Sequence, residues 1–520
     1  MCALPALVRA QGGGGAPGGS DGTGGMGGAA GAPAAEPPVV VPYLSGGEEF
    51  VVPWAAPEAS TGLPEAPEVR EPQRRLPPGI TVQPKPAGPA AAEPQPHVEE
   101  APAGETGPKR AERSPGAVIK VILGLIFLVA LAYLAGHRRV QELERRLGIS
   151  QVVTSGFPFV ALGMIARLPS IGILTDAILV ELSPLLHLGL GWIGFMIGFR
   201  FDARLLDTLP EGTAAKVAFS TGVPFLTVVA ASALVLLGEA GWAASLRNPE
   251  FLRDAIVLGS AAAITARSAA RIITGGGPHE TRLLQIIRLE ELAGIAGLTV
   301  LAAYFRPPAE AVTWHLPGTA WIFITLGLGA AVGIVGYAIL RPRATQAESL
   351  VLLLGTIAFA AGLASNLLLS PIVVCFVAGV LLVNFPGTYK PRVAATLAQL
   401  ERPIILLFLT IVGAIWSVGD WRGWVLMLVF LPARFVGKWI GVKLGWSQGE
   451  LALSRDERIV LAFAPMGQLS IAIVVNALLL YPQGTVPLIV TAVIGSAIVT
   501  EVIVQLLARK LRSRTQETGA

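Results

Sequence analysis

From Val118 onward, apolar runs of about 16 to 24 residues alternate with short polar links, and each run is about long enough to cross a 30 Å hydrocarbon core as a helix. The pattern predicts about thirteen spans, at residues 118–136, 152–167, 182–199, 214–237, 254–272, 284–305, 317–340, 348–366, 369–385, 401–418, 423–444, 457–480 and 486–508. The expected fold class is therefore an all-α polytopic membrane protein, with its membrane domain at residues 116–510 and a short tail at 511–520. Residues 1–115 have a different texture, dominated by Gly, Pro and Ala as in QGGGGAPGGS and QPKPAGPAAAEPQP. Such a segment buries too little apolar surface to offset its ordering entropy, and is read as a disordered tail. Its most apolar piece, Val39 to Trp54, is read as a stickier stretch of the same tail.

Composition agrees with the pattern: 53% of residues are apolar and 14% are charged. The net charge of +4 is small for the length and dispersed between apolar runs, which points away from a nucleic-acid partner. Cys2 and Cys375 have almost the whole chain between them, so neither a disulfide framework, a metal site nor a cofactor is expected. Basic residues collect after the odd-numbered spans: Arg138 and Arg139, Arg200 and Arg204, Arg341 and Arg343, Lys390 and Arg392, and Arg509 to Arg514. The positive-inside bias puts these links in the cytoplasm, with the long tail outside and the C-terminus inside. A bacterial cytoplasmic membrane is the expected location.

The spans also look duplicated. Span two begins FPFVALGMIARLPSIG and span nine reads SPIVVCFVAGVLLV; span three, LGWIGFMIGFRFD, is similar to span ten, ILLFLTIVGAIWSV. The matching spans are an odd number apart, so the two copies cross the membrane in opposite directions, as in the inverted repeats of secondary transporters.

An ionisable group at mid-bilayer costs about 2.5 to 3.5 kcal/mol, so polar residues inside spans are the first candidates for function. Span six carries Glu290 and Glu291 in IIRLEELAGIAGL. Adjacent residues lie about 100° apart on a helix, so the two acids require different partners. One can face water and exchange a proton with a cation, and the other can pair with a basic residue. In span five, Ile264, Thr265, Ala266, Arg267 and Ser268 interrupt an apolar helix, and in span twelve Pro465, Gly467 and Gln468 do the same. Two interrupted helices at corresponding places in two copies point to a transporter site. Span eleven carries Arg434 and Lys438 on one face, and either can neutralise a glutamate, although Lys438 can also reach the membrane surface.

These residues resemble the monovalent cation/proton antiporters, the class of sodium/proton exchangers and potassium efflux systems. The resemblance runs from about Phe157 to Glu501 and rests on FPFVALGMIARLPSIGIL, LGLGWIGFMIGFRFD, the acidic pair followed by LAGIAGL, LLLSPIVVCFVAGVLL, RFVGKWIG and APMGQLSIAI. It implies a core domain with two discontinuous crossing helices, a dimerisation domain, a homodimer and elevator-like alternation of access. It further implies that Glu291 carries the ion or proton and that Glu290 pairs with Lys438 or near it; the hydroxyls of Thr265 and Ser268, from the interruption of span five itself, are read as part of the ion site. Two departures matter. The family usually has aspartates where this chain has glutamates, and its crossing usually reads Thr, a small or acidic residue, then Pro, where this chain has Thr265, Ala266 and Arg267. The Arg267 guanidinium can then occupy the place of the cation or pair with Glu290 or Glu291. Span twelve also has Met466 and Gln468 where the family commonly has a basic and an acidic residue.

The expected function is exchange of protons for Na⁺, K⁺ or Li⁺ by alternating access. The rival is a non-transporting sensor or scaffold of the same fold, with Arg267 in the cation's place. An intramembrane enzyme is disfavoured, because no second acid, nucleophile or metal-ligand set accompanies the paired carboxylates.

Overall fold

The computed structural model describes residues 156–171, 173–204, 209, 212–236, 249–270, 279–307, 316–341, 345–445 and 455–518, with Gly124, Ile126 and Ala130 as isolated positions. All lie within the compact unit Glu105–Ala520. The expected tail at 1–115 and most of the first span with its basic flank fall outside the described residues.

Among the described residues every regular element is a helix: α1 (Phe157–Arg167), α2 (Asp176–Glu181), α3 (Ser183–Phe199), α4 (Thr213–Leu236), α5 (Pro249–Ala263), α6 (His279–Tyr304), α7 (Gly318–Leu340), α8 (Gln346–Asn366), α9 (Pro371–Asn384), α10 (Lys390–Ile415), α11 (Trp421–Gly445), α12 (Arg455–Ala462), α13 (Gln468–Leu480) and α14 (Val486–Thr518). Local chemistry sets several starts. Prolines occupy the first turn of α1, α3, α9 and α10, where a missing N–H costs nothing. Thr345 and Glu348 form a reciprocal capping box at the start of α8. Helices α4, α7, α8, α10, α11 and the Val486–Leu506 part of α14 are long and apolar enough to cross a membrane, and α1, α3, α9 and α13 are shorter apolar helices. The chain is a multi-pass membrane protein.

The expected spans and the helices agree closely for spans three, four, seven, eight, nine and eleven. The tenth differs: α10 begins at Lys390, because the amphipathic stretch before Glu401 winds continuously into the apolar part despite Pro403. Helix α14 runs on to Thr518, past the expected end of the last span, and the short α2 was not expected.

The helices pack as two bundles. In one, α3 lies along α9, α9 against α7, α8 against α3 and α9, and α1 along α10. In the other, α4 lies along α11, α5 against α4, α6 and α13, and α14 against α11 and α13. The bundles meet where α6 and α13 touch α3, α7 and α9.

The inverted duplication is visible in this packing. Exchanging span two with nine and span three with ten turns the α1–α10 contact into the α9–α3 contact, and both are built from glycines. A Cβ on Gly163 would overlap the carbonyl oxygen of Thr410, and one on Gly413 that of Val160. Across α3–α9 a Cβ on Gly194 would overlap the carbonyl of Ile372, and one on Gly379 that of Phe195. Without side chains at these places the backbones approach closely, which is how helices associate when lipid supplies no hydrophobic drive.

Spans five and twelve, the next exchanged pair, are both broken. Helix α5 stops at Ala263, Ile264 to Ala266 are non-helical, and winding resumes after Arg267. Helix α12 stops at Ala462, Ala464 to Gly467 are non-helical, and α13 starts at Gln468. The breaks cross, and the Ala266 N–H donates to the Pro465 carbonyl at 2.9 Å.

Candidate ion and proton site at the helix crossing

A helix interrupted inside a membrane leaves its last carbonyls without intrahelical partners, and no water is at hand to replace them. Here side chains take that role. The Ser470 hydroxyl donates to the Ala261 carbonyl at 2.9 Å. Arg434 donates from Nε to Ala262 at 3.2 Å and from Nη2 to Ile264 at 3.1 Å. Lys438 Nζ donates to Ala263 at 2.7 Å. Four successive carbonyls, Ala261 to Ile264, are thus satisfied. Arg434 Nη1 also donates to the Ala464 carbonyl at 3.0 Å, so one guanidinium spans both broken helices. Its positive charge sits where two helix C-termini converge, the favourable polarity for a cation.

Arg434 and Lys438 are one turn apart on α11, and both are buried. They divide the work: Arg434 holds backbone, while Lys438 also donates to Thr265 Oγ1 at 2.9 Å and to Glu290 Oε2 at 3.0 Å. Lys438 therefore does not reach the membrane surface, and it is Lys438 rather than Arg434 that ion-pairs with Glu290.

Glu291 has a different partner. Arg267 grips it with both arms, Nε to Oε1 at 2.9 Å and Nη2 to Oε2 at 2.8 Å. This is the planar two-point geometry for which guanidinium and carboxylate are matched. The Arg267 side chain keeps 23% exposure, against 8% for that of Glu291 and 1% for that of Lys438. The two glutamates that looked alike in sequence are thus held by different cations, one sealed in and one partly exposed.

Thr265 lies in the buried cluster, accepting from Lys438, whereas Ser268 is exposed beyond the crossing, outside the cluster's hydrogen bonds. Pro465 contributes its carbonyl to the crossing, and the non-helical Gly467 lies beside Ala266, where a Cβ at Gly467 would meet the Ala266 Cα at 3.5 Å. Gln468 opens α13 and is half-buried. Sequence reading missed Glu401 on α10, which pairs with Arg200 at 2.7 Å and lies within electrostatic reach of Arg267. Arg288, two residues before Glu290, is half-buried and acts on both Arg267 and Glu291. A signal was present in each case, a charged residue within a turn of an apolar run.

No family model matches the sequence, and no curated protein matches it. Among solved structures, the sodium proton antiporter MjNhaP1 from Methanocaldococcus jannaschii at pH 8 aligns with a TM-score of 0.55 and 15% identity, over 75% of this chain and 99% of that one. The chain has the sodium/proton antiporter fold. A second structure of MjNhaP1, an electron-microscopy map, aligns with a TM-score of 0.47 and 16% identity, over 75% of this chain and 95% of that one. Within this antiporter fold, the crossing of α5 with α12 and α13 faces the acidic pair of α6. The site's two carboxylates each face a cation, while Arg434 and Arg288 add further positive charge.

Proposed function

We propose that the chain is a secondary active transporter that exchanges protons for a monovalent cation, Na⁺, K⁺ or Li⁺, with Glu291 as the shared carboxylate. One observation carries the reading: Glu290 is committed to buried Lys438, while Glu291 is held by the partly exposed Arg267. A guanidinium bonded to both oxygens of Glu291 competes with a cation for its negative charge. Cation binding therefore entails Arg267 leaving, and Glu401 within its electrostatic reach offers a resting place. A proton on Glu291 weakens the same ion pair. Proton, cation and guanidinium then compete for one carboxylate, and that competition couples the two fluxes. Alternation of access follows from movement of the crossing bundle against the other, which acts as the dimerisation domain of a homodimer. The membrane is a bacterial cytoplasmic membrane, with the N-terminus outside and the C-terminus in the cytoplasm.

The test is proton flux in liposomes holding the purified full-length protein under an imposed pH gradient. Addition of Na⁺, K⁺ or Li⁺ is expected to dissipate the gradient in a saturable way; no cation-dependent flux at any pH between about 6 and 9, in protein shown to be folded, sinks exchange. The same Arg267–Glu291 pair favours a second reading, a non-transporting sensor or scaffold whose cation seat is permanently filled. Cation binding without turnover is its signature.

A further inference from the structure

Far from the acidic pair, where α5 begins and α6 and α13 finish, three buried donor atoms have no hydrogen-bond partner among the described residues: Arg253 Nη2, Arg306 Nη1 and the Tyr481 hydroxyl. Arg253 is 8% exposed and Tyr481 7%. The Arg253 guanidinium lies 4.8 Å from the Tyr481 ring centroid, and its Nε donates to Asp254 Oδ1 at 2.8 Å. The second Asp254 oxygen accepts from the Thr485 hydroxyl. Asp254 is thus engaged on both oxygens, and Arg253 Nη2 is left over.

Arg306 approaches Tyr481 as a second cation, within electrostatic reach of it. Its guanidinium is stacked 3.4 Å from the centroid of the Trp321 ring, and its Nη2 donates to the Leu367 carbonyl at 2.7 Å. Arg306 follows α6, whereas Trp321 lies on α7 and Leu367 ends α8, so this one side chain ties the crossing bundle to the other.

A buried donor left without an acceptor costs about 1–3 kcal/mol, and more when it is charged. The two guanidinium arms offer only donor hydrogens and the phenolic hydroxyl can add a third, so a metal cation finds at most one oxygen among them. Their common complement is a small acceptor carrying negative charge, since hydrogen bonds from guanidinium to an anion are the strong ones. Asp254 offsets the charge of Arg253, and Arg306 adds a second positive charge beside Tyr481, while Glu250 is exposed a turn earlier on α5. The burial of Arg253 and Tyr481 restricts the guest to one of few atoms. We propose that Arg253, Arg306 and Tyr481 form a binding site for a small monovalent inorganic anion of the chloride class. Because Arg306 is fixed on Trp321 and Leu367 while Arg253 and Tyr481 belong to the crossing bundle, the bound anion holds the two bundles in the arrangement described. None of this depends on the chemistry of Glu291.

The test is thermal unfolding of the purified full-length protein in sodium chloride, bromide, gluconate and sulfate at matched sodium concentration and ionic strength. Chloride and bromide are expected to raise Tm by several degrees in a saturable way relative to gluconate, as ligand linkage requires. Tyr481→Phe, which keeps the ring under Arg253 and removes only the hydroxyl, and Arg306→Gln are expected to lose most of that increment. Equal Tm in chloride and gluconate, a chloride increment that both variants retain, or a rise confined to sulfate overturns the site.

Discussion

Lys438 and Arg434 stand one turn apart on α11, both fully buried, yet their losses carry different consequences. Lys438→Met leaves Glu290 charged and unpaired in the interior, which is expected to destabilise by about 3–5 kcal/mol. The double variant Glu290→Gln with Lys438→Met removes both charges and is expected to recover most of that loss; chemical or thermal unfolding in detergent measures both, and an unrecovered double variant contradicts the pairing. Arg267→Ala acts in the opposite sense on function. It frees Glu291 without removing a backbone partner, so the half-saturating cation concentration for proton flux is expected to fall at least several-fold. The identity of these residues was legible in the sequence, since charges inside apolar runs are conspicuous. Their division of labour was not. Residues 434 and 438 share a helix face, and only the position of the α5 break relative to that face decides which one meets carbonyls and which one meets Glu290.

At the scale of the helix, the broken segments are held by donors from elsewhere in the chain. Arg434→Ala strands three carbonyls on two helices, at about 1–3 kcal/mol for each buried group left unpaired. It is therefore expected to lower Tm more than Ser470→Ala, which strands only the Ala261 carbonyl. The glycine seams make a second expectation, because the duplicated architecture predicts paired effects. Gly413→Ala on α10 and Gly379→Ala on α9 each push a methyl into a facing carbonyl, and each is expected to cost about 1–3 kcal/mol from overpacking. Thermal unfolding of both variants checks this, and neutrality of either one contradicts the close approach. The lengths of most spans, and the interruption of spans five and twelve, could be read from apolar runs and from Pro465 and Gly467. The start of α10 could not, because the segment from Lys390 to Glu401 is amphipathic and its periodicity continues straight through Pro403. Ser268 stands apart from Thr265 for a related reason: proximity in sequence does not survive a break, and its side chain is exposed while Ala269 and Ala270 beside it are buried.

At the scale of the whole molecule, the charge distribution sets the expected orientation. The α9–α10 link at Thr388 is expected to face the cytoplasm, and the α10–α11 link at Gly419 the outside. Both residues are exposed, and a side chain at Gly419 meets no neighbouring atom. With Cys2 replaced and Cys375 buried, a membrane-impermeant maleimide added to intact cells should label Gly419→Cys and spare Thr388→Cys; the reverse pattern inverts the orientation. The inverted duplication was visible in sequence as two matched pairs of spans, but the sequence did not show that α1–α10 and α9–α3 are images of each other, because that relation lies in contacts between distant segments. In the proposed mechanism one carboxylate, Glu291, serves proton and cation in turn, with Arg267 as its resident partner. The most direct measurement compares cation-dependent proton flux in liposomes for the wild type, Glu291→Gln and Arg267→Ala. Saturable flux is expected in the wild type, with its loss in Glu291→Gln and a lower half-saturating cation concentration in Arg267→Ala. Flux in Glu291→Gln equal to that of the wild type would contradict the mechanism.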